Sequence, residues 1–294
     1  MPLDDATSQD RVYSVFAPDG PGLPLVVASP HSGRLVPPSF MAVTRLNGLS
    51  LRKSEDCFID EIFAAAPRLG APLLCARFAR AFLDANREAY ELDPDMFLDD
   101  LPSYVNTRSS RVSAGLGTIA RVVAEGEEIY QYKLLFAEAL ERISAYYVPY
   151  HSALTHLLDT TCARFGHCVL VDAHSTPSTA LARERERRNR HVDIVLGDGF
   201  GCTCNEAVIR TATGVLRDRG YSVVHNTPYA GGFTTRHYGQ PEHGVHALQI
   251  EINRDLYMDE ATFRRRPFLD VLARDMAGLL SALGHLPPEA LRSP

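Results

Sequence analysis

The sequence has no long apolar run, no excess of basic residues and no cysteine framework, and each absence removes a class of protein. No stretch approaches the roughly 20 apolar residues that a membrane span needs. Lys and Arg number 30 against 36 Asp and Glu, a net charge of −6, which argues against nucleic acid or an anionic membrane as a partner. Met1-Pro-Leu-Asp-Asp-Ala-Thr has neither the basic region nor the apolar core of a secretory signal, so a cytoplasmic protein is expected. Of the six cysteines, Cys57, Cys75, Cys162 and Cys168 lie among apolar residues, where buried thiols are usual. Cys202 and Cys204 have no second pair nearby to complete a zinc knuckle. No GxSxG elbow is present, which argues against a serine hydrolase. Gly197-Asp-Gly199-Phe-Gly201 departs from the dinucleotide fingerprint, because Cys202 stands where its third glycine belongs and no Walker lysine follows.

What is there is an ordinary globular chain of 294 residues, 45% hydrophobic. With no repeat and no Pro/Gly-rich linker, one domain over residues 1–294 is expected. Apolar strand-like runs fall at 24–29, 71–84, 168–173, 191–197, 221–225 and 247–253. Residues 35–47 read as loop, and Ser54 as the N-cap of a helix carrying Phe58, Ile59, Ile62 and Phe63. Residues 93–126 read as a long irregular excursion. The spacing of Ile129, Tyr132, Phe136, Leu140, Ile143 and Tyr147 predicts a helix from about Glu127, ended or kinked at Pro149, with a second segment through Leu154 and Leu158. Helices are also predicted over 205–219 and 268–283. Strands alternating with helices predict an α/β fold with a mainly parallel sheet covered by helices on both faces.

Two of the strand-like runs close on histidine: Pro24-Leu-Val-Val-Ala-Ser-Pro-His31-Ser-Gly33 and Cys168-Val-Leu-Val-Asp-Ala-His174-Ser175. Ligands of open parallel sheets bind beyond the carboxyl ends of the strands. A lone histidine there is most simply a hydrogen-bonded strand end, but two delivered to equivalent positions point to a metal. A catalytic zinc needs a third protein ligand and a position for water. Glu55 and Asp56 are the candidates, though acidic residues also suit a helix N-terminus through its dipole, and spacing does not choose between them. Asp172 shares a face with His174 and could orient its ring. In Ala247-Leu-Gln-Ile-Glu-Ile-Asn253, alternation puts Gln249, Glu251 and Asn253 on one face, as in a strand that lines a site. Glu251 could serve as a base beside a bound water, or form a salt bridge with Arg254 or another arginine. Asn86-Arg87 and the glycine-rich Gly231-Gly232-Phe-Thr-Thr-Arg236 supply guanidinium groups suited to substrate carboxylates. Arg108, Arg111 and Arg121 are weaker candidates. Arg183–Arg190 reads as a solvated helix with Glu184–Arg188 and Glu186–Arg190 pairs, placed where a lid could sit.

The ordered set Ser-Pro-His31-Ser-Gly, Ser-Glu-Asp56, Leu-Asp-Ala-Asn86-Arg87-Glu, Val-Asp-Ala-His174-Ser, Gly-Gly-Phe-Thr-Thr-Arg236-His-Tyr-Gly and Ala-Leu-Gln-Ile-Glu251-Ile-Asn resembles the N-formylglutamate amidohydrolase family. The resemblance implies a zinc-carboxypeptidase-like (phosphorylase/hydrolase-like) fold, a mixed, mostly parallel sheet sandwiched by helices. It also implies one zinc ion on His31, Asp56 and His174, with Glu55 the alternative third ligand. Glu251 would be the general base, and Asn86, Arg87 and Arg236 would bind the substrate. In carboxypeptidases the acidic ligand lies three residues after the first histidine; here that place holds Arg34, and the family's acidic motif selects Asp56. The implied reaction is cleavage of N-formyl-L-glutamate to formate and glutamate, a step of histidine breakdown in the related family. Two alternatives stay open: an amidase or carboxypeptidase-like enzyme acting on another N-acyl amino acid or a modified peptide, and a non-catalytic small-molecule or nucleotide-binding protein using Gly197–Gly201.

Overall fold

A computed structural model describes residues 12–123, 126–188 and 191–291. Its main feature is a seven-stranded sheet made of β1 (Tyr13–Phe16), β2 (Leu25–Ser29), β3 (Leu73–Ala76), β4 (Cys168–Thr176), β5 (Ile194–Gly197), β6 (Val223–His225) and β7 (Val245–Asn253). The strand order is β1-β3-β2-β4-β7-β5-β6. β2, β4 and β7 run parallel, β5 is antiparallel to β7, and β6 is parallel to β5. The sheet is therefore mostly parallel, as the alternation of elements predicts, and mixed, as the resemblance implies. β2, β4 and β5 are buried along their whole length, which is why they read as near-continuous apolar runs rather than alternating ones. Among the described residues no helix is long and apolar enough to cross a membrane.

Backbone contacts divide the chain into two compact units. One comprises the described parts of 15–29, 56–74 and 155–294 and holds β2, β4, β5, β6 and β7. In it, the helix Leu269–Gly284 buries Leu269, Leu272, Met276, Leu279, Leu280 and Leu283, a spacing of three and four that makes one apolar stripe. That helix packs on the helices Glu206–Asp218, Ile59–Ile62 and Ala66–Leu69. Asn205 caps the first of these, its side chain accepting from the Ala207 amide. The helix predicted from Ser54 begins later than expected. Phe58 adopts a left-handed φ of 66°, so a helix can form only over Ile59–Ile62. A bulky residue held there costs about 1–3 kcal/mol. Ser54 instead donates to the Leu51 carbonyl, at the end of a short helix, Gly48–Arg52, that the sequence does not announce.

The other unit comprises the described parts of 1–14, 30–55 and 75–154. Its core is aromatic: Phe40, Phe78, Phe82, Tyr130, Tyr146 and Tyr150 meet edge to face, with the Arg142 guanidinium 4.7 Å over the Phe82 ring. The long helix starts at Phe136, not Glu127, because Ile129 is held in an extended pairing, its amide donating to the Arg121 carbonyl at 2.8 Å. Pro149 does not end it. A π-helical segment, Ile143–Tyr147, precedes the proline, and the Val148 amide reaches the Ile143 carbonyl. This wider turn absorbs the amide that Pro149 lacks and relieves its clash with the preceding turn, so the helix continues to Phe165. Residues 35–47 contain a one-turn helix, Pro38–Val43, where a loop is predicted. β3 is only four residues long; beyond it Leu35 pairs with Phe78 as a single bridge. Gly33 permits that approach, since a Cβ there would stand 2.3 Å from the Phe78 carbonyl oxygen.

Candidate metal and active site

The site begins with strand parity. In the β4–β7 ladder Asp172 lies abreast of Gln249, His174 of Glu251 and Thr176 of Asn253. The face assigned to Gln249, Glu251 and Asn253 from alternation is thus shared with Asp172 and His174. His174 is buried with a carboxylate on each nitrogen: Asp56 Oδ2 is 3.0 Å from Nδ1 and Asp172 Oδ1 is 2.8 Å from Nε2. Burial alone would lower the imidazole pKa, but the Asp172, Asp56 and Glu251 carboxylates outweigh it and hold the ring well above its usual range. So much negative charge around one ring calls for a proton or a cation. Thr235 donates to the second oxygen of Asp172 at 2.8 Å. Arg254 donates from Nη2 to Asp56 Oδ1 at 2.9 Å and from Nε to Ser175 Oγ at 3.1 Å.

His31, just beyond β2, has its Nε2 2.7 Å from Asp84 Oδ1. Burial would raise the Asp84 pKa, yet Arg80, Arg87 and His31 together keep it well below the usual carboxylate range. Asp84 therefore plays for His31 the part that Asp172 plays for His174. The segment after it is fixed by the long helix: Tyr147 donates to the Arg87 carbonyl at 2.8 Å, and His151 Nε2 lies 2.9 Å from the Ala85 carbonyl. One donor atom from each of His31, Asp56 and His174 lies within 4.8 Å of the other two, and all three residues are buried. This group could bind a metal ion. Two imidazoles, one carboxylate and a carboxylate on Nε2 of each ring fit the donor set and outer support of a zinc centre. The carboxylate in the group is Asp56. Glu55 is held by Arg34 and Arg52, each at 2.7 Å.

Of the other residues singled out in the sequence, Glu251 accepts from Gln249 Nε2 at 2.9 Å, and Arg254 pairs with Asp56. Asn86 is buried, and its backbone N–H donates to Asp84 Oδ1. Arg87 is also buried, directing Nε to the Leu116 carbonyl and Nη1 to the Asn86 carbonyl, with Nη2 3.4 Å from Asp84. Burial pulls its pKa down to about 10, so it stays charged at neutral pH. Arg236 is exposed, on the helix Phe233–Tyr238. Arg121 is paired with Asp93. The segment Ala182–Arg188 is helical, and Glu184 pairs with Arg187; the expected Glu184–Arg188 and Glu186–Arg190 pairs involve Arg188 and Arg190, whose side chains lie outside the described residues. Gly197–Gly201 forms a tight turn in which Asp198 accepts from the Gly201 amide and from Asn226. None of the six cysteines is in a disulfide.

The family model described as N-formylglutamate amidohydrolase matches residues 23–258. The N-formylglutamate deformylase of Pseudomonas aeruginosa is 31% identical over 241 residues, covering 81% of this chain and 83% of its own length. That of Pseudomonas putida is 30% identical over the same shares. The crystal structure of N-formylglutamate amidohydrolase from Ralstonia eutropha JMP134 superposes with a TM-score of 0.87 at 35% identity, covering 93% of this chain and 97% of that one. A gene product of Agrobacterium tumefaciens, 18% identical with a TM-score of 0.62 over 93% and 94% of the two chains, shares the fold.

Proposed function

The chain belongs to the N-formylglutamate amidohydrolase family, and from that premise we propose that it hydrolyses N-formyl-L-glutamate to formate and glutamate, with one zinc ion on His31, Asp56 and His174. The observation that carries the reading is the buried His–Asp–His group, with Glu251 abreast of His174 in the β4–β7 ladder. With Nε2 of each imidazole engaged by a carboxylate, Nδ1 is the atom each ring would turn to the cation. When bound, zinc supplies Lewis acidity, lowering the pKa of water to about 7 and polarising the formyl carbonyl. Glu251 takes a proton from the water that attacks the formyl carbon and returns it to the glutamate nitrogen as the C–N bond breaks. Arg87 and Arg236, with Asn86, hold the glutamate carboxylates, so the formyl group is presented in one orientation.

The test is to purify the protein without a histidine tag and measure bound metal and formate release from N-formyl-L-glutamate. One zinc per chain together with formate release is the expected result. Zinc without formate release would remove this substrate, and absence of metal after reconstitution would remove the site. The outer carboxylates make a further expectation. Asp172→Asn and Asp84→Asn each keep the side-chain shape but lose the charge that polarises one imidazole. Zinc affinity should fall about 10–100-fold in each, read by competition with a chelating indicator. Unchanged affinity would show that these carboxylates serve folding alone.

A further inference from the structure

Gln249 is buried on β7, two residues before Glu251 and on the same face. Its amide can be oriented in only one way. The Gly232 backbone N–H, which can only donate, lies 2.6 Å from one end of the amide. That end must be Oε1, so Nε2 is the end that donates to Glu251 Oε1 at 2.9 Å. One side chain therefore joins the carboxylate of Glu251 to the backbone of another segment. Gly232 is the residue from which the helix Phe233–Tyr238 starts, and this short helix carries both Thr235, which holds Asp172, and Arg236. The segment leading into it is pressed against β5: a Cβ on Gly197 would stand 2.7 Å from the Gly231 nitrogen, and Gly231 has a φ of 115°. Packing thus limits where this backbone can go, and Gln249 fixes its register against β7.

We propose that Gln249 is a positioning residue that sets the Glu251 carboxylate and the Arg236-bearing segment in one frame, so that the base and the group that receives a substrate carboxylate keep a constant separation. The inference rests on the reading of Glu251 as general base and Arg236 as a substrate contact. A glutamate has rotatable bonds that its polar contacts and packing must fix, and the Gln249 donor is one of those contacts. A misplacement of about 1 Å can lower a rate about 100-fold.

Two substitutions separate the two ends of the amide. In Gln249→Glu, an oxygen still accepts from the Gly232 amide, but the donor to Glu251 is gone and a like charge faces it. In Gln249→Met, both bonds are lost at similar volume. The expected result for Gln249→Glu is a kcat about 30–100-fold lower with KM within about twofold, the signature of a lost interaction at the reacting groups. Gln249→Met should show a similar fall in kcat and also a KM raised about tenfold, because the Arg236 segment loses its anchor. Zinc content and melting temperature are measured beside the kinetics. Wild-type kcat in Gln249→Glu would overturn the proposal, as would a fall in its activity that only follows lost zinc or lost folded protein; this variant decides the matter even if Gln249→Met does not fold. A zinc-loaded wild type that releases no formate would instead overturn the functional reading itself, and the two failures are distinct.

Discussion

Glu251→Gln is expected to lower kcat for N-formyl-L-glutamate about 1000-fold, within the about 10²–10⁴-fold that a positioned general base contributes. The substitution isolates basicity from everything else the residue does. Glu251 is 8% exposed on a central strand, with His174 abreast on one side and Val195 on the other, so its volume must be preserved. Glutamine preserves it, and its carbonyl oxygen can still accept from Gln249 Nε2. In the proposed mechanism, what is lost is the ability to take a proton from the attacking water and return it to the departing nitrogen. A 1000-fold fall corresponds to about 4 kcal/mol of transition-state stabilisation. KM should change little if, as proposed, Arg87 and Arg236 hold the carboxylates of the substrate, and zinc should stay at one per chain, because the proposed ligands His31, Asp56 and His174 are untouched. Steady-state formate release with parallel metal analysis makes the measurement. A variant within about tenfold of the wild-type kcat would take the base role away from Glu251.

How much of this arrangement could be read from the chain depended on the range of the interaction. The β2, β4 and β5 runs were legible because strands buried in a parallel sheet carry near-continuous apolar sequence. The shared polar face was legible because alternation has a period of two, and no other residue can break it within Ala247–Asn253. The histidines stood out because each follows such a run directly. Pairings across the fold were not legible. Arg254 was a natural partner for Glu251, three residues away in sequence, yet it binds Asp56, 198 residues distant. Asp84 lay inside a motif read for its asparagine and arginine, and its bond to His31 spans 53 residues. Its nearest signal was its place directly before Ala-Asn-Arg. The helical spacing of Ile129 and Tyr132 failed for a different reason. Two residues with the right interval cannot specify a helix when the backbone pairs elsewhere, and Ile129 is bonded to Arg121. Pro149 looked like a stop because a proline normally is one; the π-helical segment before it depends on packing that no local pattern records.

Arg254→Met is expected to destabilise the metal-free protein by about 3–5 kcal/mol, the cost of removing one partner from a buried ion pair. Arg254 and Asp56 are both buried, their side chains 6% and 1% exposed. Burial alone would lower the Arg254 pKa, but Asp56 holds it above its usual value, so the guanidinium is charged at any pH at which the protein folds. Methionine keeps an apolar stem of comparable reach and removes both donors. Ser175 loses the hydrogen bond from Arg254, and Asp56 loses its ion pair with the guanidinium. Against a total stability of about 5–15 kcal/mol, the loss is large. Its dependence on metal is the informative part. If Asp56 is a zinc ligand, the cation compensates the carboxylate that Arg254 abandons, and it stabilises the folded state by mass action as well. The loss in the zinc-loaded protein should therefore be the smaller, read as thermal unfolding of variant and wild type with and without a chelator. Arg254→Lys should fall between the two, since one ammonium cannot reproduce the fork that reaches Ser175 from Nε and Asp56 from Nη2. Equal losses with and without metal would place Asp56 outside the metal's coordination and return Arg254–Asp56 to the role of a structural ion pair.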